Sequence, residues 1–329
     1  MHLKVAIIYN KLTAGLYGTV GEEQANASVR TDVEAVHQAL NELGHSVVEI
    51  PLLPPFAQAA DTLRNLSVDL VFNLFEGFDN HPEAEATIAG VLAETSLPYT
   101  GCTSSALALA LDKPRAKALM KQAAIASPRC QLLSPETLST FDLGYPCIVK
   151  PRREDASYCL SEDSVVCDYP SLQNQVSRIS RLLGGMAMVE EFLDGREFNA
   201  TIMGNDEIAT LPISEIAYSV PPTAPRILTY AAKWDPSSAY FKHTKHVCPA
   251  QIESAERARM VDITEAVFRL LVGHGYARVD MRMDAEGNIN VLEVNPNPDI
   301  SPDAGAARQA QAAGMTYSQF IENIVMLAL

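Results

Sequence analysis

The order of apolar and polar positions divides the chain into alternating strands and helices. Residues 3–9 are mostly apolar and predict a first strand. Residues 31–43 set Val33, Val36, Leu40 and Leu43 on one helical stripe, and Gly44 follows as a stop. Residues 46–50 predict a strand, 69–75 a nearly continuous apolar strand, 82–94 a helix and 97–99 a short extended segment. Strand–helix alternation implies a parallel sheet covered by helices, so residues 1–112 read as a Rossmann-like α/β domain. Residues 15–21 would form the loop leaving the first strand, at the edge where such sheets favour ligands.

The texture changes at Lys113. Residues 114–124 predict a helix with proline in its first turn, 146–151 a strand bounded by two prolines, 172–183 a helix and 187–191 an extended segment. After Phe192 come further strands, a polar loop over 221–246, a helix over 252–273, a hairpin and a terminal helix over 317–328. No internal repeat interrupts this order. Three domains are expected, 1–112, 113–191 and 192–329, with no long linker.

The hairpin carries the strongest chemical signal. Residues 277–296 read ARVDMRMDAEGNINVLEVNP, two apolar runs around a turn containing Gly287. Period two puts Arg278, Asp280 and Arg282 on one face of the first strand, and Glu293 and Asn295 on one face of the second. If those faces coincide, two carboxylates and an amide oxygen converge. That all-oxygen set suits Mg²⁺ bridging phosphates. The competing reading is the polar outer face of an edge hairpin.

Composition narrows the partners. The chain has 329 residues, 47% hydrophobic, with a net charge of −15. Such an acidic balance argues against nucleic acid or an anionic membrane as main partner. Six cysteines form no C-x-x-C pair and read as reduced, buried thiols of a cytoplasmic protein rather than bridges or zinc ligands. The apolar run at the start is too short for a signal or a membrane span.

Two lysines and an acidic turn stand out elsewhere. Lys150 ends an apolar strand and either snorkels to solvent or points at an anion. Lys113 opens a helix, where a phosphate can use free backbone N–H groups, although a solvated helix start is the plainer reading. The run from Glu190, Glu191, Phe192 and Leu193 to Glu197 surrounds Gly195. It reads either as an exposed acidic turn or as an extended segment able to contact adenine and ribose. No G-x-x-x-x-G-K-S/T and no G-x-G-x-x-G is present.

The order of these motifs is more specific than any one of them. Asp112-Lys113, Ile148-Val149-Lys150-Pro151, Glu190 through Phe198, Ala231-Ala232-Lys233, Arg278-Val279-Asp280 and Leu292-Glu293-Val294-Asn295 together resemble the ATP-grasp superfamily, in its D-alanine–D-alanine ligase-like branch. The resemblance extends to Pro98-Tyr99-Thr100-Gly101 and to residues 313–317. It implies an α/β chain of α+β ATP-grasp type, a doubly wound N-terminal domain followed by two α+β subdomains that clamp ATP. It implies ATP contacts at Lys113, Lys150, Glu190, Glu191, Phe192, Leu193, Glu197, Lys233 and Leu292. Asp280, Glu293 and Asn295 would hold Mg²⁺, as two ions with Mn²⁺ an alternative. Lys233 would reach the γ-phosphate from a mobile loop over 221–246, and Arg278 would steady an oxyanion.

The substrate half departs from the family. The loop after Lys150, residues 152–158, lacks glycine, and Ser157 stands beside Ala156 where a serine is usual. Trp234, the only tryptophan, takes a place normally held by tyrosine or phenylalanine. Glu76-Gly77 replaces His-Gly, Asp299 replaces a glycine, and Ala304 replaces a serine. Glu22 or Glu23 is a candidate for the amine-binding acid. Glu76, Ser157, Trp234, Asp299, Ser301 and Asp303 are therefore the candidate substrate residues, and the extra acids point to a cationic or amine-rich substrate. The expected function is an ATP-dependent ligase joining a carboxylate to an amine on amino-acid-like substrates. The alternatives are a D-alanine–D-alanine ligase of cell-wall synthesis and a non-catalytic nucleotide-binding module. The resemblance also implies a cytoplasmic homodimer.

Overall fold

The computed structural model describes residues 1–11, 22–78, 81, 83–153, 157 and 159–329, with side chains from Val29 onward in the second stretch. The loop expected at 15–21, the side chains of Glu22 and Glu23, and Ala156 lie outside the described residues.

The first sheet comes from β1 (Lys4–Asn10), β2 (Ser46–Leu52) and β3 (Leu70–Leu74), all parallel in the order β2-β1-β3. Tyr99 adds one parallel bridge to Val71. The connections are α1 (Glu22–Glu42), α2 (Phe56–Arg64) and α3 (Ala84–Glu94). Alternation along β1 sends Val5 and Ile7 into the same core as Val33, Val36 and Leu40 of α1. It sends Ile8 to the opposite face, with Leu63, Ile88 and Leu92. Helices thus cover both faces. Leu40 is completely buried, and burial of a leucine contributes about 2 kcal/mol.

Next come α4 (Ser104–Leu111) and α5 (Lys113–Gln122). They lead into β4 (Cys130–Leu133), β5 (Cys147–Lys150), β6 (Val165–Val166), α6 (Tyr169–Leu183) and β7 (Ala187–Glu191). These strands form an antiparallel sheet, β4-β7-β5-β6, covered by Leu172, Val176 and Ile179 of α6.

The third sheet uses β8 (Glu197–Gly204), β9 (Ile208–Thr210), β10 (Ser214–Tyr218) and β11 (Thr244–Val247), then β12 (Gly275–Met283) and β13 (Ile289–Pro296). Its order is β11-β10-β8-β12-β13, with β9 on β8. Short helices α7 (Tyr230–Trp234) and α8 (Ala239–His243) precede β11, and α9 (Ser254–Leu271) precedes β12. After β13, α10 (Gly305–Ala312) packs on β8. Helix α11 (Tyr317–Leu327) returns to pack against α1.

Several expectations shift. Helix α1 reaches back to Glu22 rather than starting at 31, and α2, α4 and α10 were not read from the sequence. The apolar residues of α4 run nearly all round it, which hides its period, and α2 and α10 are only 9 and 8 residues long. The polar loop over 221–246 contains α7 and α8, each started by a hydroxyl N-cap, Thr229 and Ser238. Of the six free cysteines, only Cys102 and Cys147 are buried, and Cys167 is exposed. Among the described residues, no helix is long and apolar enough to cross a membrane.

One junction joins the first and third sheets closely. Asn297 lies at φ +48° just past β13. Its Oδ1 accepts from the Cys102 amide at 2.7 Å and its Nδ2 donates to Glu85 at 3.2 Å. Gly101, at φ +101°, faces it so closely that a Cβ would lie 2.6 Å from Asn297 Oδ1.

Candidate active site

The hairpin is set by its turn. Asp284 Oδ1 accepts from the amides of Glu286 and Asn288, at 3.0 and 2.8 Å, and Gly287 supplies the positive φ. The register then places Asp280 opposite Glu293 and Arg278 opposite Asn295. The two polar faces therefore coincide. A bulge follows Asp280, so Leu292 stands unpaired, half-buried, at the point where the edge strand bends. Arg278 forks onto Asp280 with contacts of 2.7 and 2.9 Å. Asn295 Nδ2 donates to Asp280 at 3.0 Å and to Glu293 at 3.5 Å. This is a tied, largely buried cluster and not a solvated outer face: Asp280 and Glu293 keep only 17% and 28% of their side-chain exposure.

Lysines approach from two other elements. The chain turns at Asp112 between α4 and α5, so Lys113 begins α5, buried, with Nζ 3.9 Å from Glu293. One turn on, Lys117 lies on the same helical face and pairs with Glu190. Lys150, at the end of β5, pairs with Glu190 from the other side. Burial opposes charge on Glu190, but Lys117 and Lys150 together hold its carboxyl below the usual range. Burial likewise opposes Glu293, and Lys113, Lys150, Arg278 and Lys233 outweigh it, holding that carboxyl down to about 2. For Asp280, burial wins over Arg278 and raises the carboxyl. Lys233, in α7, acts electrostatically on both carboxylates.

The acidic turn is not simply exposed. Glu190 and Glu191 are neighbours on β7 and point to opposite faces. Glu190 enters the lysine pair, whereas Glu191 accepts from the Arg129 amide at 3.1 Å. Phe192 lies under the Arg282 guanidinium, 5.2 Å from its ring centre. Leu193 is half-buried beside Asp194, which pairs with Arg226. Glu197 Oε2 accepts from Tyr218 at 2.8 Å and from Arg282 at 3.1 Å. The bulge notwithstanding, Arg282 remains opposite Glu197, with Asp280 opposite Asn199.

The expected substrate residues divide. Glu76 and Asp299 line one small cavity with Asn73, Glu85, Asn297 and Asp32. Ser301 donates its amide to Asp299 at 2.8 Å but does not itself line that cavity. Asp303 is exposed, its carbonyl taken by Arg308, and it too lies off the cavity. Ser157 is half-buried at φ +60° in the loop after β5. Trp234 packs on Tyr230 within α7, ring centres 6.4 Å apart. His246 of β11 faces the same region. Loss of solvation and then the charges of Arg308, Arg278 and Lys233 push it down to about 4.

The D-ala D-ala ligase C-terminus family matches residues 119–326. This chain belongs to the D-alanine–D-alanine ligase family. It is 32% identical to an uncharacterised protein of Sinorhizobium fredii, over 99% of this chain and 97% of that one. It is 28% identical to a D-alanine–D-alanine ligase of Carboxydothermus hydrogenoformans, over 93% and 95%. Its fold matches a D-Ala:D-Ser ligase from Enterococcus faecalis with a TM-score of 0.77, at 20% identity and full coverage of both chains. The ATP-grasp, mixed α/β architecture is therefore established, and so is the class: an ATP-dependent carboxylate–amine ligase, D-alanine–D-alanine ligase-like.

Ligases of this family use ATP and divalent metals, and the donors present fit such a metal. Asp280, Glu293 and Asn295 offer hard oxygen atoms on facing strand positions, and exchanging the two ends of the Asn295 amide turns its oxygen toward the carboxylates. Sequence reading missed Lys117, Asp32 and His246. Lys117 had a signal, its spacing of four from Lys113. Asp32 had none, because an acid within an amphipathic helix reads as part of the solvated face.

Proposed function

We propose that this ligase activates a substrate carboxylate by phosphorylation and joins it to an amine on amino-acid-like substrates. The supporting observation is the meeting of Arg278, Asp280, Glu293 and Asn295 on one hairpin face, with Lys113 directed at Glu293. Lys113, Lys150 and Lys233 hold the ATP phosphates, and Glu190, Phe192, Leu193, Glu197 and Leu292 line the nucleoside, with Glu191 contributing backbone only. Asp280, Glu293 and Asn295 hold Mg²⁺, which when bound neutralises phosphoryl oxygen charge.

The carboxylate oxygen forms a bond to the γ-phosphorus while the bond to the bridging oxygen of ADP breaks. Lys233 and Lys150 offset the charge of the transferring group. An amine then attacks the acyl carbon. Arg278 steadies the oxyanion, phosphate leaves with the bonding pair, and the amine loses its proton. Residues 221–246, with α7 and α8, cover the acyl phosphate against water. Residues 1–112, 113–191 and 192–329 act as three units, the second and third clamping ATP. The chain works as a homodimer in the cytoplasm, where ATP is available.

The deciding experiment is phosphate release from ATP and Mg²⁺ with D- and L-amino acids, singly and in pairs, with product masses. Release with other pairs supports the reading. Release with D-alanine alone, giving the dipeptide, would make the chain a cell-wall ligase, a second reading favoured by its similarity to the Carboxydothermus enzyme. No release with any pair would refute the assignment of amino-acid-like substrates.

A further inference from the structure

Between the parallel sheet and the end of β13 lies a cavity of about 30 Å³ whose charged lining the chemistry above leaves unused. Asp32 of α1 is its floor, only 8% exposed, and its Oδ1 has no hydrogen-bond partner among the described residues. The Tyr317 hydroxyl, beside Asp32 and Asp299, likewise has none among them. Glu76 and Asp299 are reached by solvent and stand at the mouth. A buried carboxylate without a donor is unfavourable. Here the neighbours worsen it: burial first, then Asp299 and Glu76, push the Asp32 carboxyl up to about 8. Glu76, surrounded by protein though open to water, is pushed up to about 7 by loss of solvation and by Asp299.

The Asp32 oxygen lacks a donor among the described residues, and Glu76 and Asp299 in the same lining favour a positively charged one. An ammonium suits that lining, because its three N–H donors can reach separate acceptors. That space of about 30 Å³ is room for a group the size of one or two waters. It admits an –NH₃⁺ group.

Arg278, Asp280, Glu293 and Asn295 do not line the cavity, so it is set back from the hairpin cluster. Asp299, which does line it, acts electrostatically on both Arg278 and Asp32. A carboxylate held at Arg278 brings its own α-ammonium toward Asp299. The Asp32 end calls for a second positive charge further along the same molecule. We propose that Asp32 and Glu76, with Asp299 at the mouth, form a specificity pocket for the ω-ammonium of a basic amino acid, so that one substrate is a diamino acid. The proposal rests on the ligase reading only in placing the substrate carboxylate at Arg278.

The test is calorimetric titration of the full chain, with ADP and Mg²⁺ present, using both enantiomers of ornithine and lysine. Norvaline and norleucine, the same chains without the ω-amine, are the comparison. At least one basic amino acid should bind about tenfold or more tightly than its neutral counterpart. In Asp32→Asn and in Glu76→Gln, near-isosteric changes checked for folding by melting curves, that preference should fall to within about threefold. Equal binding of neutral and basic compounds, failure of every basic compound to bind, or a preference surviving both substitutions overturns the pocket. Phosphate release and product mass from the same compounds judge the ligase reading separately. A basic preference in binding without turnover would sink that reading and keep the pocket. Amide formation from neutral pairs alone would do the reverse.

Discussion

Replacing Glu190 by glutamine probes how the lysines proposed to hold the ATP phosphates are stored. Glu190 is 1% exposed and pairs with Lys117 and Lys150, whose side chains keep 5% and 14% of their exposure. Glutamine preserves the shape and removes the charge, so two buried ammonium groups lose their shared counter-ion. Removing one partner of a buried pair costs about 3–5 kcal/mol. Over 329 residues, unfolding entropy turns that into a fall of about 4–7 °C in Tm. Nucleotide phosphates would restore the missing charge. The native protein must draw Lys150 away from Glu190 to use it, whereas the variant has no such competition. Scanning calorimetry with and without a non-hydrolysable ATP analogue and Mg²⁺ therefore reads two quantities. The variant should melt lower alone and gain more on adding the analogue. An equal gain in both proteins would refute the assignment of Lys150 to the phosphates. A Tm unchanged within about 1 °C would refute the buried pairing itself.

Glu293→Ala removes a carboxylate from the metal set and should abolish ATP turnover; turnover retained at the native Mg²⁺ requirement would refute that assignment. Arg278→Ala should leave metal-free nucleotide binding nearly intact and cut ligation. Because Arg278 forks onto Asp280, it should also alter the Mg²⁺ concentration needed for half-maximal turnover, and an unchanged requirement argues that the fork is idle in the working enzyme. Asp32 and Glu76, raised to about 8 and 7, hold protons in the native state that the unfolded chain releases near its ordinary carboxyl range. Their stabilising effect is thus full below the ordinary carboxyl range and is lost as pH rises from there through 7 to 8. Tm should fall from about pH 5 to about pH 8 and level off above it, and Asp32→Asn should flatten that fall; an equally steep fall in the variant would show that other groups cause it.

Local alternation and motif order made the architecture legible. Period two in β12 and β13 was enough to bring Asp280, Glu293 and Asn295 to one face, because an edge hairpin has few registers that bury its apolar side. What stayed hidden depends on distant parts of the chain meeting. Glu190 read either as part of an exposed turn or as a nucleoside contact, because nothing local announces Lys117 and Lys150 on either side of it. Glu76, Asp299 and Asp32 are far apart in sequence, and only the packing of α1, the end of β3 and the segment after β13 makes them one cavity. Helix α10 was missed, yet its fully buried Gln309 anchors it to Asn199, Thr201 and Ser214 of the third sheet.

Asn297 has a consequence for length measurement. Its side chain grips Cys102 and Glu85 while its backbone continues the strand bearing Glu293 and Asn295. The close fit against Gly101 leaves no slack. The hairpin that carries Arg278 is thereby held to α3 and to the segment before α4, so its distance from the cavity that Asn297 and Glu85 line is fixed by backbone rather than by adaptable side chains. Such a ruler sorts molecules by reach as well as by charge. Changing Asp32 alters what the cavity holds, while changing Gly101 or Asn297 would move the scale itself.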